Sequence, residues 1–556
     1  MSYALRLFAC CSIFLTACSS ANFVAPSSAA SSAPAASANS LQGAVHGGQQ
    51  PIANAHVYLY AVSTGGYGSA STSLLQAGPN TQQDSNGVYY ATTNYNGNFN
   101  ITAADRNCSS SQPAYLYSVG GNPGVFNGAN SGASLMAVLG PCGNFDSLPA
   151  AINMNEVTTV AAAYALAAFA SDATHISGSS SALASTAIAN AASIAANLAD
   201  ISKGTPPAET QGGNANVPVN EINTLADILA TCINSTDPDS GSPSNACSVL
   251  FSTATNNGSQ PSDTASAAIN IAHHPGANVQ TLFGFLTATP PFQPALSSAP
   301  NDWTIALTYT GGSLHGPLGL AVDSNGYVWV ANSAGTCISQ FQPNGVPGLD
   351  DGFSGNGVEP STCGAGTSGT FPAPYYIAFS PSGNIWLANY SSVTELDFSS
   401  GLGSESFLNY TGNYTGGSVN GSSGIAFDKT GNAWVANGGY NANSITGFSG
   451  SSGTSYGGGG LNSPAGLAID TNNNIWIGNN NANDVSEFNI ASSSFVGSGF
   501  LGAGQAADAV AIDSGGNVWI ANRGYASVSR LSSNGYAQIY FANGGGINYP
   551  TGIAID

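Results

Sequence analysis

GLAVDSNGYVWVAN, residues 319 to 332, is the stretch that decides the fold, because near copies of it recur down the rest of the chain. They read YIAFSPSGNIWLAN from Tyr376, GIAFDKTGNAWVAN from Gly424, GLAIDTNNNIWIGN from Gly466 and AVAIDSGGNVWIAN from Ala509, and GIAID opens a sixth at Gly552. Each copy reads as a short strand (Leu320 to Val322), a D-x-x-G turn (Asp323 to Gly326) and a second strand (Tyr327 to Asn332). A third strand follows as [V/I]-[S/T]-x-[F/L], for example Ile338 to Phe341 and Val485 to Phe488. Trp329, Trp386, Trp434, Trp476 and Trp519 hold one position of the second strand. Strand alternation puts Trp329 and Ala331 on one face and Val328 and Val330 on the other, so both faces are apolar.

A sheet with two apolar faces has to be sandwiched between neighbours. The copies begin 57, 48, 42, 43 and 43 residues apart, the period of four-stranded blades stacked radially into a β-propeller. Asp323, Asp428, Asp470 and Asp513, with Ser380 in the second copy, are read as acceptors for backbone N–H groups of their own turns. A ring of metal ligands is the competing reading, but each Asp is needed locally and the four are spread around the ring. Asn332, Asn389, Asn437, Asn479 and Asn522 close every second strand and are likewise expected to serve local backbone.

This pattern resembles the NHL-repeat propellers and, more narrowly, the streptogramin-lyase-like propellers with their D-x-x-G-x-[I/V/L]-W signature. The resemblance runs from Gly319 to Asp556. It implies a propeller, and in the lyases it implies histidines and a glutamate holding magnesium at one mouth. Here His315 is the one propeller histidine, and Asn follows the tryptophan motif in every copy. The related lactonases use a Glu/Asn/Asp metal cluster, whereas the propeller glutamates are Glu359, Glu395, Glu405 and Glu487. The expectation is therefore a binding or interaction scaffold with no catalytic residue, metal or cofactor, its ligand a protein or a glycan. A metal-dependent lyase-like or lactonase-like enzyme is the alternative. Five copies and the start of a sixth lead us to expect a ring continued past Asp556 into six or seven blades, with Trp303 to Thr310 a candidate outer strand. Asp350-Asp351-Gly352, in the insertion from Gln342 to Thr370, matches only a fragment of a calcium loop.

Charge narrows the partners. The 556 residues carry 6 Lys and Arg against 27 Asp and Glu, a net charge of -21, and the bases are scattered. Phosphate backbones require clustered bases, so nucleic acid is excluded. At the N-terminus Arg6 precedes an apolar run, Leu7 to Leu15, too short to span a bilayer and shaped like a secretory signal. Leu15-Thr16-Ala17-Cys18 resembles a bacterial lipobox, which implies cleavage after residue 17, lipidation of Cys18 and anchoring to a membrane, with Ser19 favouring the outer membrane or cell surface. Residues 19–40 read as a disordered Ser/Ala-rich tether. Of nine cysteines, Cys10 and Cys11 leave with the signal and Cys18 takes lipid. Six remain, and nearest-neighbour pairing gives the disulfides Cys108–Cys142, Cys232–Cys247 and Cys337–Cys363.

Between tether and propeller the period changes twice. Residues 41–150 alternate as strands: Ala55, Val57 and Leu59 lie on one face, and His56, Tyr58 and Tyr60 on the other. With Asn96-Gly97 as a hairpin turn, this stretch resembles the carboxypeptidase regulatory-like, transthyretin-like β-sandwich, whose modules act as spacers or binding units. His46 and His56 lack acidic or cysteine partners nearby in sequence. Residues 151–290 read as an Ala-rich helical region, with helices from Asn155, Ser181, Val219, Ser262 and Asn278. His273-His274 caps one of these helices. Residues 291–302 form a Pro-marked linker, and 303–556 the propeller, incomplete at its C-terminus.

Overall fold

The computed structural model describes residues 40–108, 111, 113–124, 128–235, 245–348, 373–397, 409–501, 506–532, 538–542 and 547–555. The signal, Cys18, the tether before residue 40, Cys363, Asp350-Asp351-Gly352, Glu359 and Glu405 lie outside the described residues.

Two sheets open the described chain. In the first, Leu41–Gly47 pairs antiparallel with Asn98–Ile101 and parallel with Ile152–Met154. In the second, His56–Ala61 lies between Tyr89–Thr92 and Pro113–Val119, and the latter pairs with Ser134–Pro141. Val45, Phe99, Ile101, Ile152 and Met154 of the first sheet share one core with Val57, Leu59, Leu116, Leu135 and Ala137 of the second. The far face of the second sheet departs from its sequence reading. Tyr58 and Tyr60, expected on the outer face of a half-buried strand, are buried beneath helices together with Tyr115 and Tyr117 of the neighbouring strand. Ring area drives this burial, and the hydroxyls find partners within it: Tyr115 Oη donates to Ala173 O at 2.9 Å, and Tyr58 Oη bonds Asp84 at 3.1 Å.

The covering layer is α1 (Glu156–Leu166), α2 (Ala182–Leu198), α3 (Val219–Ile233), α4 (Ala246–Thr253) and α5 (Thr264–His273). Side-chain caps start several of them. Asn155 accepts from Thr158 N at 3.1 Å, Ser181 from Ala184 N at 3.1 Å and Asp263 from Ser266 N at 2.9 Å. Alanines 161–163, 191, 192, 195, 265, 267 and 268 line the buried faces and let these helices sit close to the tyrosines. Cys108–Cys142 and Cys232–Cys247 are disulfides, as the spacing predicts. The helix α4, absent from the sequence reading, is short and begins at an Asn245 cap whose only periodic support is Cys247, Leu250 and Phe251. No helix among the described residues is long and apolar enough to cross a membrane.

Trp303 to Thr310 does not supply a propeller strand. Trp303 is buried in the helical core, where its backbone N–H donates to Pro275 O and its carbonyl accepts from Tyr164 Oη at 2.7 Å. Thr308–Tyr309 pairs with Ala215–Asn216 instead. An indole gains more by burial against helices than as an edge strand, and that packing decides the segment's place.

Five antiparallel sheets follow, with inner strands Pro317–Val322, Pro374–Phe379, Ser422–Phe427, Pro464–Ile469 and Ala507–Ile512. Each is paired outward to a second strand ending in Asn and then to a third strand. The inner strands neighbour one another in chain order, which is the stacking of propeller blades. One packing rule joins the blades: the tryptophan face of each covers the inner-strand apolar pair of the next. Trp329 meets Ile377 and Phe379, Trp386 meets Ile425 and Phe427, Trp434 meets Leu467 and Ile469, and Trp476 meets Val510 and Ile512. Every inner strand is entered through a left-handed residue: Gly316, Ala373, Gly421, Ser463 and Ala506. Tyr549 repeats this conformation ahead of Pro550. A bulge follows within the first residues of all five strands.

The first blade breaks the pattern on one side. Leu320 is 66% exposed, whereas the equivalent Ile377, Leu467 and Val510 are 6%, 8% and 8% exposed. Leu318 and Val322, on the same face of that strand, are also exposed.

Candidate functional site

The two ends of the blades carry different chemistry. At one end sit the turns between first and second strands. Asp323 Oδ1 accepts from Asn325 N at 2.8 Å and Tyr327 N at 3.0 Å, while Oδ2 accepts from the Trp329 indole N–H at 3.0 Å. The indole bond recurs for Asp428–Trp434 (3.0 Å), Asp470–Trp476 (3.2 Å) and Asp513–Trp519 (2.9 Å). One carboxylate thus builds its turn and satisfies a tryptophan on the blade face. Ser380 keeps a turn bond from Asn384 N at 3.0 Å, but its single oxygen has nothing left for an indole. In that blade Glu395 takes the polar load, accepting from Asn384 Nδ2 at 2.9 Å and from Tyr414 Oη at 2.8 Å. In two of the turns these bonds also hold the carboxylate in its ionised form. Burial alone would raise Asp428, but bonds from Trp434, Thr430 and Asn432 hold it below the usual range; hydrogen bonds from Trp519 and Asn517 hold Asp513 down to about 2.

At the opposite end the five Asn side chains are fully buried. Asn332 Nδ2 donates to Ser339 Oγ at 2.9 Å, Asn389 to Thr394 at 2.7 Å, Asn437 to Thr446 at 2.8 Å, Asn479 to Ser486 at 3.0 Å and Asn522 to Ser529 at 2.7 Å. Their Oδ1 atoms accept from the entering loops where His315 N, Asn420 N and Asn462 N approach Asn332, Asn437 and Asn479. Asn332, Asn437 and Asn479 thus staple second strand, third strand and incoming loop together, whereas Asn389, whose buried Oδ1 has no partner, ties second strand to third. The Ser/Thr of the [V/I]-[S/T]-x-[F/L] strand is the partner of each amide.

Beside these staples, at what would be the mouth of a propeller channel, lie the loops after the second strands and the first residues of the inner strands. Tyr390, Tyr440 and Tyr525 are exposed there, and Tyr375 packs on Tyr390 with ring centroids 6.1 Å apart. Asp508 of the fifth inner strand accepts from Asn480 Nδ2 of the fourth blade and stands 3.6 Å from the Arg523 guanidinium. Burial raises the Asp508 carboxyl, with Arg523 and Asn480 pulling it back. Tyr376 of the second blade is raised by burial and, to a lesser extent, by the Asp508 charge.

None of Tyr375, Tyr376, Tyr390, Asn480, Asp508 or Arg523 was singled out from sequence. The available signal was deviation from the repeat: Asp508 stands where the other inner strands carry Leu318, Tyr375, Ser423 and Ala465, and Tyr376 where three of them carry Gly. His315 contributes its backbone N–H to Asn332, and Glu487 is raised by burial and by Asp470. Among the described residues no group of three or more His, Cys, Asp or Glu could hold a metal ion.

No protein-family model matches this chain, and no curated protein matches it. Among solved structures it is similar to a streptogramin B lyase, at 16% identity and a TM-score of 0.33, over 41% of this chain and 70% of the lyase. A virginiamycin B lyase from Staphylococcus aureus gives 17% and 0.34 over 43% and 75%, and a gluconolactonase from Xanthomonas campestris 12% and 0.31 over 41% and 76%. At these values the likenesses carry no argument about activity.

Proposed function

We propose that this chain is a membrane-anchored extracytoplasmic lipoprotein, held by lipid on Cys18 and the 19–40 tether, whose propeller is a non-catalytic binding scaffold. The N-terminal sheets, with their carboxypeptidase regulatory-like pattern, act as the spacer beneath it. The observation that carries this reading is how the polar groups are used. The repeat aspartates and asparagines are consumed by turns, indoles and strand staples, while the mouth offers solvent-facing Tyr390, Tyr440 and Tyr525 among amides. Rigid aromatic faces with adaptable amides suit a protein or glycan ligand.

The alternative, a metal-dependent lyase-like or lactonase-like enzyme, rests on Asp508, Asn480, Arg523 and Tyr376 meeting at the mouth. Screening the purified chain on glycan and protein arrays separates the two. The scaffold reading expects saturable binding that falls at least tenfold in Tyr390→Ala and Tyr525→Ala and is indifferent to chelator. Turnover of a lactone or cyclic ester that is lost with EDTA and in Asp508→Asn would establish the enzyme instead.

A further inference from the structure

We propose that the N-terminal part of the chain holds one calcium ion between Glu156 and Asp227, where α1 and α3 meet Gly48 and the Pro291–Phe292 segment. Glu156 lies in the first turn of α1 and is fully buried; its Oε1 accepts from Gly48 N at 2.7 Å, and its Oε2 has no hydrogen-bond partner. Asp227, in the middle of α3, is also buried; its Oδ1 accepts from Phe292 N at 2.8 Å, and its Oδ2 has no partner. The two anchoring points are close, since Gly48 lies beside Pro291, the residue before Phe292. A β-carbon on Gly48, at φ +60°, would stand 3.4 Å from Pro291 Cβ and 3.1 Å from Asn234 Nδ2. Asn234 Oδ1 is a third buried oxygen without a partner.

Two carboxylates taken out of water cost several kcal/mol each unless a positive charge goes with them. Among the described residues no Lys, Arg or His forms an ion pair with either; of the two bases in the adjoining cleft, His46 and Lys203, Lys203 pairs with Asp200 at 2.7 Å. A divalent ion neutralises the pair without protons. The donors are carboxylate and amide oxygens, hard ligands that fit calcium and its irregular six- to eight-fold shell, whereas magnesium demands an octahedron and zinc prefers nitrogen and sulfur. A cleft of about 530 Å³ lies one residue away, with Gly48 and Phe292, the backbone partners of the two carboxylates, in its wall. The site lies outside the propeller and is independent of what the channel mouth binds.

Calcium titration of the purified, EDTA-stripped chain tests this by calorimetry and thermal melting. The expected result is one saturable ion per chain, a Tm raised by several degrees with calcium but not with equimolar magnesium, and at least hundredfold weaker binding in Glu156→Gln and Asp227→Asn. Hydrogen exchange on the unmutated chain gives a second reading should those variants fail to fold. Calcium should slow exchange at Gly48 and Phe292 at least tenfold. Absence of saturable binding, binding retained in both variants, or protection confined to the propeller would each overturn the proposal.

Discussion

The propeller and the layered region before it solve the same problem, buried polar groups, over different chain distances. In a blade the partners are close in sequence: Asp428 meets the Trp434 indole six residues on, and Asn437 meets Thr446 nine residues on. In the layered region they are far apart. Gly48 meets Glu156 across 108 residues, Asn130 meets Cys232 O across 102, and Ser134 meets Asp263 across 129. Local partners recur as a written motif; distant ones do so only once the chain has folded. The unsatisfied oxygens of Glu156 and Asp227 lie on the distant side of this divide, where no repeat enforces a partner.

Core tryptophans should break the blades most severely. Trp476→Ala removes an indole that covers Val510 and Ile512, and is expected to cost about 3–5 kcal/mol, measured by denaturant unfolding. A loss below about 1 kcal/mol would mean that the interlocking faces do not hold the blades together. Next comes the shared carboxylate. Asp428→Ala orphans the indole N–H and two turn N–H groups, for an expected loss of about 1–3 kcal/mol. Ser380→Ala, with no indole bond to lose, should cost less than half as much in the same assay.

Acid should reach the propeller through these turns. The folded pKa values of Asp428 and Asp513 are depressed, so their contribution is complete above the unfolded value near 3.9 and is lost as pH falls through the folded values, about 2 for Asp513. Melting followed from pH 5 to pH 2 should show Tm falling chiefly below about pH 4; Asp428→Asn should flatten that limb, and an unchanged limb would remove the turns from the account. The smallest effect is expected at the open face. Leu320→Ala should change stability by less than about 0.5 kcal/mol in this 556-residue chain, against about 2–4 kcal/mol for Leu467→Ala at the equivalent covered position. Equal losses would show that Leu320 is covered in solution.

The blade phase could be read directly, because a period of about 43 residues and one tryptophan per period leave a single way to bury both faces. The turns and the [V/I]-[S/T]-x-[F/L] strand were readable for the same reason. Their link was not: nothing in a D-x-x-G turn announces that its second oxygen serves an indole six residues later. The loop end of the blades was less legible still, since Asp508 accepts from Asn480 of the neighbouring blade and faces Arg523, partners that no position of the repeat announces.

The order of residues was enough for the strand repeat, for the Ala-rich helices with their starts at Asn155 and Ser181, and for two disulfide pairings, all properties of neighbours along the chain. Packing in three dimensions was needed to put four tyrosines of two neighbouring strands under helices, to draw Trp303 into that helical core, to leave Leu320 bare, and to bury Glu156 and Asp227. These outcomes depend on which apolar faces find each other in space, and burial is scored by area removed from water, whatever the distance along the chain.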